Sequence, residues 1–191
     1  MFVESEGEPH FYTKAIVPFN IETGNVQPDE IWTLEKEVEK SIATGLLAMV
    51  MEEEFNKLDA YLDTFVERNN LAGFTMEAIE NIMATSYTTP YYFVQATGEN
   101  RDQLVEVYLN NPDITPEELR GNEEFINYDP KEVLFSINLF MGEESEPDQE
   151  VFDTLVEDME SMEGLPRGTY SVSLNDHLCI SALELVLKTT H

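Results

Sequence analysis

The chain has 191 residues, of which 39 are Asp or Glu and only 10 are Lys or Arg, for a formal net charge of −29. An apolar fraction of 42%, with 10% aromatic residues, is enough to build a core and separates the chain from disordered acidic tails. Phosphate contacts need Lys and Arg, and anionic lipid heads repel carboxylates, so direct nucleic-acid binding and membrane binding are both disfavoured.

The length suits a single acidic domain over residues 1–191, with residues 1–8 expected as a flexible segment. Cys179 is the only cysteine, so no internal disulfide can form. That suits a reducing compartment, and the expected location is the cytoplasm (a host's cytoplasm if the chain is virus-encoded). The opening MFVESEGEPH has neither the basic nor the apolar region of a signal peptide. The longest apolar run, Ile42 to Met51, falls short of the roughly 20 residues of a membrane span.

In chain order, His10 to Phe19 is rich in β-branched and aromatic residues and predicts a strand. Pro28-Asp29-Glu30 has the proline and acids of a helix start. Ile31, Leu34, Val38, Ile42, Leu46, Met49 and Val50 follow at helical spacing, then Phe55, Leu58, Tyr61, Leu62, Phe65 and Val66. This predicts one long helix or two abutting helices from Pro28 to about Asn69, with Gly45 as the close-packing point or break. Trp32 is expected in the core. Thr75 to Ala84 predicts a short helix, and Ser86 to Ala96 a strand in which Pro90 marks an edge or bulge. Asn100 to Leu109 predicts a helix, and Thr115-Pro116-Glu117-Glu118 is a capping box that opens another. Val133 to Met141 alternates as a strand does. Asp148 to Met162 reads as an amphipathic helix and Thr169 to Leu174 as a strand. Asp176 to Thr189 suits a helix or the return arm of a hairpin, with the helix preferred. The expected fold is α+β: a small, mostly antiparallel sheet packed against the long helix or helix pair and several short helices.

The acids fall in rows. From Glu143 to Glu163 there are ten acids and no base, and Glu150, Asp153, Glu157 and Glu160 line one side of the expected helix. A second row runs Glu52, Asp59, Asp63, Glu67, with Glu53 and Glu54 beside it, interrupted only by Lys57 and Arg68. Like charges one turn apart destabilise a helix by roughly 0.2–0.5 kcal/mol per pair. Glu35 to Lys40 avoids this by alternating sign; the two rows do not. A positive partner would account for rows kept at such a cost. The surface reading of any single acidic helix face is simpler, namely solubility.

Small, very acidic proteins that imitate the DNA phosphate backbone and block DNA-binding proteins share this character. The chain resembles that class in composition and in its carboxylate-lined helices (Asp59, Asp63, Glu67; Asp153, Glu157, Glu160). Spaced as on duplex DNA, 29 charges correspond to about 49 Å of axis, roughly 14 base pairs. The resemblance implies a viral or mobile-element inhibitor of a host-defence nuclease, such as a restriction or CRISPR complex. It also implies a partner surface at Glu52, Glu53, Asp59, Asp63, Glu67, Glu150, Asp153, Glu157 and Glu160. A homodimer would present a longer imitation. One alternative is an acidic interaction or assembly module for a basic protein that does not bind DNA. A second is adaptation to high salt.

No phosphate-binding loop, dinucleotide fingerprint, HExxH, GxSxG or CxxC occurs, and no enzyme activity, cofactor or metal is expected. His177 and Cys179 could pair as a thiol nucleophile, but Cys179 lies among Leu178, Ile180 and Ala182 and reads as an inert apolar residue. His10, His177 and His191 are scattered, which argues against zinc. Glu143 to Glu150 alternates acids without the glycine of a calcium loop. Among Tyr87, Tyr91, Tyr92 and Phe93, Phe93 is the expected core member.

Overall fold

The computed structural model describes residues 1–81, 84–177 and 182–188. Cys179 and His191 lie outside the described residues. The chain begins with two small antiparallel hairpins, β1 (Phe2–Glu4) with β2 (Tyr12–Lys14), and β3 (Phe19–Asn20) with β4 (Asn25–Val26). Helices α1 (Glu37–Val50) and α2 (Glu52–Arg68) follow, then β5 (Leu71–Ala72), α3 (Met76–Asn81), β6 (Tyr92–Ala96) and α4 (Gly98–Asn110). Two short helices, α5 (Pro116–Arg120) and α6 (Glu123–Ile126), lead to β7 (Val133–Met141). The chain closes with α7 (Gln149–Ser161), β8 (Thr169–Asn175) and β9 (Ala182–Lys188).

The nine-residue strand β7 organises a five-stranded sheet. One of its edges pairs antiparallel with β6 along Val133–Ile137 and with β5 at Phe140–Met141. Its other edge pairs parallel with β8, and β8 pairs antiparallel with β9. Parallel neighbours need a long crossover, which α7 supplies. The fold is therefore α+β, with three antiparallel pairings around one parallel pair.

Alternation along the strands decides which face is dry. Val133, Phe135, Ile137 and Leu139 of β7, Tyr170, Val172 and Leu174 of β8, and Tyr92, Val94 and Ala96 of β6 are all buried. Residues between them, such as Ser136, Asn138, Ser171 and Ser173, are only half-buried. Phe135 stacks on its register partner Tyr170 at 4.7 Å, and Phe55 of α2 lies 5.6 Å from Phe135. Phe152, Leu155 and Met159 of α7 join the same apolar cluster. The tyrosine hydroxyls buried beside this sheet have acceptors: Tyr170 donates to the Pro166 carbonyl at 2.7 Å and Tyr128 to the Arg167 carbonyl at 2.6 Å. Without these bonds each would cost about 1–3 kcal/mol.

Several expectations need correction. Residues 1–8 contribute β1, and the Met1 ammonium donates to the Ala15 carbonyl at 2.7 Å. The expected strand over His10–Phe19 is broken into β2 at Tyr12–Lys14, an isolated bridge at Ile16 and the start of β3 at Phe19. The helix expected from Pro28 starts at Glu37, because Pro28–Glu30 makes a single 3-10 turn and Trp32 pairs with Ile16 through two backbone bonds of 2.8 and 3.2 Å. Lys36, at φ 63°, then redirects the chain into α1. The break between the helices is at Met51, not Gly45; there Arg120 Nε donates to the Val50 carbonyl at 2.9 Å. A side chain inserted into the backbone ladder is a recognised cause of such a kink. Gly45 is a close-packing point, since a Cβ there would stand 2.7 Å from the His10 carbonyl oxygen. In β6 it is Tyr92 that is fully buried, while Phe93 points to the other face, a one-residue difference in register. The preferred helix after Asp176 is the hairpin arm β9 across Ala182–Lys188.

Trp32 is 52% exposed, with Phe19, Ile21, Val26, Ile31 and Leu34 of the same N-terminal arm also exposed. Its emission should therefore sit at solvent-exposed wavelengths, and neutral acrylamide should quench it readily. A blue-shifted, protected emission would contradict this placement. Gly45→Ala should cost about 1–3 kcal/mol in urea unfolding, the usual range for overpacking a tight contact.

Candidate functional site

The acidic residues owe their positions to the packing of α2 and α7. At about 100° per residue, α2 turns Phe55, Leu58, Leu62, Phe65 and Val66 toward the sheet. The same rotation sends Lys57 and Tyr61 to one flank and Glu52, Asp59 and Asp63 to the other. Both flanks are engaged. On the first, the Tyr61 hydroxyl donates to Asp158 Oδ2 of α7 at 3.0 Å, and Lys57 Nζ donates to the Glu163 carbonyl just beyond α7. Residue 57 thus meets 163 and residue 61 meets 158, so the two helices run antiparallel. On the second flank, the Tyr92 hydroxyl donates to Asp59 Oδ1 at 2.8 Å.

In α7, Phe152, Leu155 and Met159 face the core, and Asp158 faces α2. Asp148 caps its N-terminus by accepting from the amides of Glu150 and Val151 at 2.8 and 3.2 Å. Glu150, Asp153, Glu157 and Glu160 then project outward and away from α2. The two carboxylate rows, far apart in sequence, therefore lie on neighbouring rigid helices but on their outer flanks.

Glu52, Glu53, Asp63, Glu67, Glu150, Asp153, Glu157 and Glu160 are exposed. None of them belongs to an ion pair among the described residues. Asp153 accepts from Gln149 Nε2 at 2.8 Å, which fixes it without neutralising it. Four of the bases are engaged elsewhere. Lys36 and Arg101 share Asp102, at 3.3 and 2.8 Å, and Arg120 lies 3.8 Å from Glu117. Arg167 stacks on Tyr128 at 4.4 Å.

Asp59 differs from the rest of its row. It is half-buried, and desolvation raises its pKa above the usual carboxylate range; the Tyr92 bond opposes this and the Asp63 charge adds to it. Burial, then the Asp59 and Glu8 charges, push the Tyr87 phenol up to about 12. Sequence reading missed the bonds of Tyr61 and Lys57 to α7, although Asp158 lies on the inner flank at helical spacing from Phe152 and Leu155. It also missed the Tyr92–Asp59 bond, which no periodicity reveals. No group of three or more His, Cys, Asp or Glu among the described residues is arranged to hold a metal ion. No helix among them is long and apolar enough to cross a membrane.

The chain belongs to the family described as "Protein of unknown function (DUF1672)", whose model matches residues 1–183. Its structure is similar to the crystal structure of a DUF1672 family protein from Staphylococcus aureus subsp. aureus Mu50, with a TM-score of 0.69 and 14% sequence identity. That likeness covers 100% of this chain and 76% of the staphylococcal one, and at this identity it shows the shared fold. No curated protein matches the chain.

The raised pKa of Asp59 has a definite sign. The folded chain holds this proton more tightly than the unfolded chain, so the residue favours folding below its unfolded pKa. That contribution is lost as pH rises through the folded value. Asp102, held low first by its Arg101 hydrogen bond, acts in the opposite direction from an exposed position. As pH falls through the raised pKa of Asp59, that residue should add to the thermal midpoint, and Asp59→Asn should remove this part of the pH dependence while keeping an acceptor for Tyr92. Parallel pH profiles for the two proteins would show that Asp59 is not involved.

Proposed function

We propose that this DUF1672 member is a non-enzymatic, cytoplasmic binding protein whose carboxylate rows on α2 and α7 occupy the basic groove of a DNA-binding protein. The observation that carries this reading is the antiparallel pairing of the two helices through Tyr61–Asp158 and Lys57–Glu163. It holds two acidic rows, without ion pairs among the described residues, on opposite outer flanks, as two antiparallel phosphate strands flank a duplex. Successive carboxylates one helical turn apart stand about 5–6 Å from each other, near the phosphate spacing along one strand. Rigid side chains of this kind steer a basic partner over distance and release its counterions, and no bond is made or broken.

The half-burial of Asp59 favours a second reading. With that carboxylate engaged by Tyr92, the row on α2 passes from Glu52 and Glu53 to Asp63 and lacks regular duplex-like spacing. An acidic module for a basic protein that does not bind DNA requires no such regularity.

Both readings predict capture of a basic protein from lysate of the native cell by the immobilised chain at low salt, with loss as NaCl passes ~0.2 M and surface charges are screened. Replacing Asp153, Glu157 and Glu160 together by Lys should weaken capture at least about tenfold, as expected when several charge contacts become repulsive, with an unchanged circular dichroism spectrum. Displacement by duplex DNA supports the DNA-like reading; capture that resists DNA but yields to salt supports the second. Capture that survives 0.5 M NaCl, or that ignores the triple replacement, contradicts both.

A further inference from the structure

A cleft of about 650 Å³ opens between the β1–β2 connection, the α1–α2 break and the loop from α4 to α5. Gly45 sits in its floor, with Ala48 and Met49. The glycine is needed because a Cβ would stand 2.7 Å from the His10 carbonyl oxygen and 2.9 Å from Pro9 Cβ. Its absence lets the β1–β2 connection seat on α1 and form one wall. Tyr87 and Tyr108, both half-buried, bring ring surface to the cleft, and Ile114 adds an apolar side.

The rim is dominated by acids. Glu8, Glu52 and Asp113 line it beside His10, and no Lys or Arg does. Glu8 Oε2 accepts from the His10 amide at 3.2 Å, while the side chains of Glu52 and Asp113 enter no hydrogen bond or ion pair among the described residues. Aromatic ring faces attract a cation within about 6 Å, most strongly where water is partly excluded. Met49 and Ile114 offer apolar contact to a hydrocarbon stem. An anion would be repelled from this rim, and a neutral apolar ligand would gain nothing from it.

We infer that this cleft binds an ammonium or guanidinium group carried on an aliphatic stem. The site goes beyond the electrostatic rows: it is a saturable pocket for one cationic group, with Glu52 where it meets the acidic row of α2. A lysine or arginine side chain of a protein and a free polyamine both carry this chemistry.

The test is an NMR titration of the full chain at ~0.15 M NaCl, where long-range attraction is largely screened. The probes are acetyl-arginine amide, spermidine and the uncharged acetyl-norleucine amide. The cations should produce saturable shifts at Gly45, Tyr87 and Tyr108, and norleucine amide should produce none. Glu52→Gln with Asp113→Asn, and separately Tyr108→Leu, should each weaken binding roughly three- to tenfold, the range of a few modest charge and ring contacts. Glu77→Gln, exposed on α3 and outside the cleft, should leave it unchanged. Tighter binding of the arginine amide assigns the cleft to a protein side chain, and tighter spermidine binding assigns it to a polyamine. Linear, unsaturable shifts spread over α2 and α7, or equal binding of norleucine amide, would overturn the inference. Those outcomes leave the DNA-competition test untouched, so the two proposals fail separately.

Discussion

Mutual repulsion among surface carboxylates is the constraint that the rest of this structure answers. A net charge of −29 on 191 residues works against any compact state, because folding brings those charges closer together. The opposing contribution is concentrated in one apolar layer. Phe55, Tyr92, Phe135 and Tyr170 pack ring against ring between α2 and the sheet. Burying each such side chain is worth about 1.5–3 kcal/mol. Tyrosine in that layer is safe only because its hydroxyl finds an acceptor, and for Tyr92 that acceptor is itself a carboxylate, Asp59. Core and surface charge therefore meet at one hydrogen bond.

The same economy shapes the two acidic helices. Each spends one flank on a neighbour: α2 offers Tyr61 and Lys57, and α7 answers with Asp158 and the Glu163 carbonyl. Acidic side chains that cannot be neutralised are then left on the outer flanks, where separation and water reduce their repulsion. An arrangement that minimises repulsion within the molecule also spreads negative potential widely over one side of it. Recognition of a positive partner requires nothing more elaborate than that spread, held still by helices packed on a sheet.

Elements with strong local signals were legible in the sequence. The capping box at Thr115 forms as expected: its hydroxyl accepts from Glu118 N at 3.3 Å and Glu118 Oε2 accepts from Thr115 N at 3.0 Å. The nine-residue alternation from Val133 and the amphipathic helix after Asp148 also appear at their expected places. The segment from Pro28 to Lys36 misled because Ile31, Trp32 and Leu34 fall at helical spacing, yet the backbone of Trp32 pairs with Ile16, a long-range choice that periodicity does not encode. The arm's apolar residues consequently lie exposed, where the pattern placed them in a core. Of the candidate site, exposure of both rows could be read from helical spacing alone. Their divergence could not, because it depends on which flank of each helix meets the other. The withdrawal of Asp59 was hidden too, since its partner Tyr92 lies 33 residues away.

Urea is uncharged, so it unfolds the chain without altering ionic strength, and this permits the most direct test of the opposition between carboxylate repulsion and the aromatic layer. Unfolding free energy should be measured in about 0.02 M and about 0.5 M NaCl, conditions that span weak to nearly complete screening at these charge separations. The account predicts a folded protein in the dilute buffer, a gain of at least about 1 kcal/mol at the higher salt, and an unchanged dependence on urea. Equal stability at both salts would show that the charges do not oppose the fold. A chain already unfolded in dilute buffer would show that the aromatic layer cannot hold them and that the acidity is an adaptation to high salt.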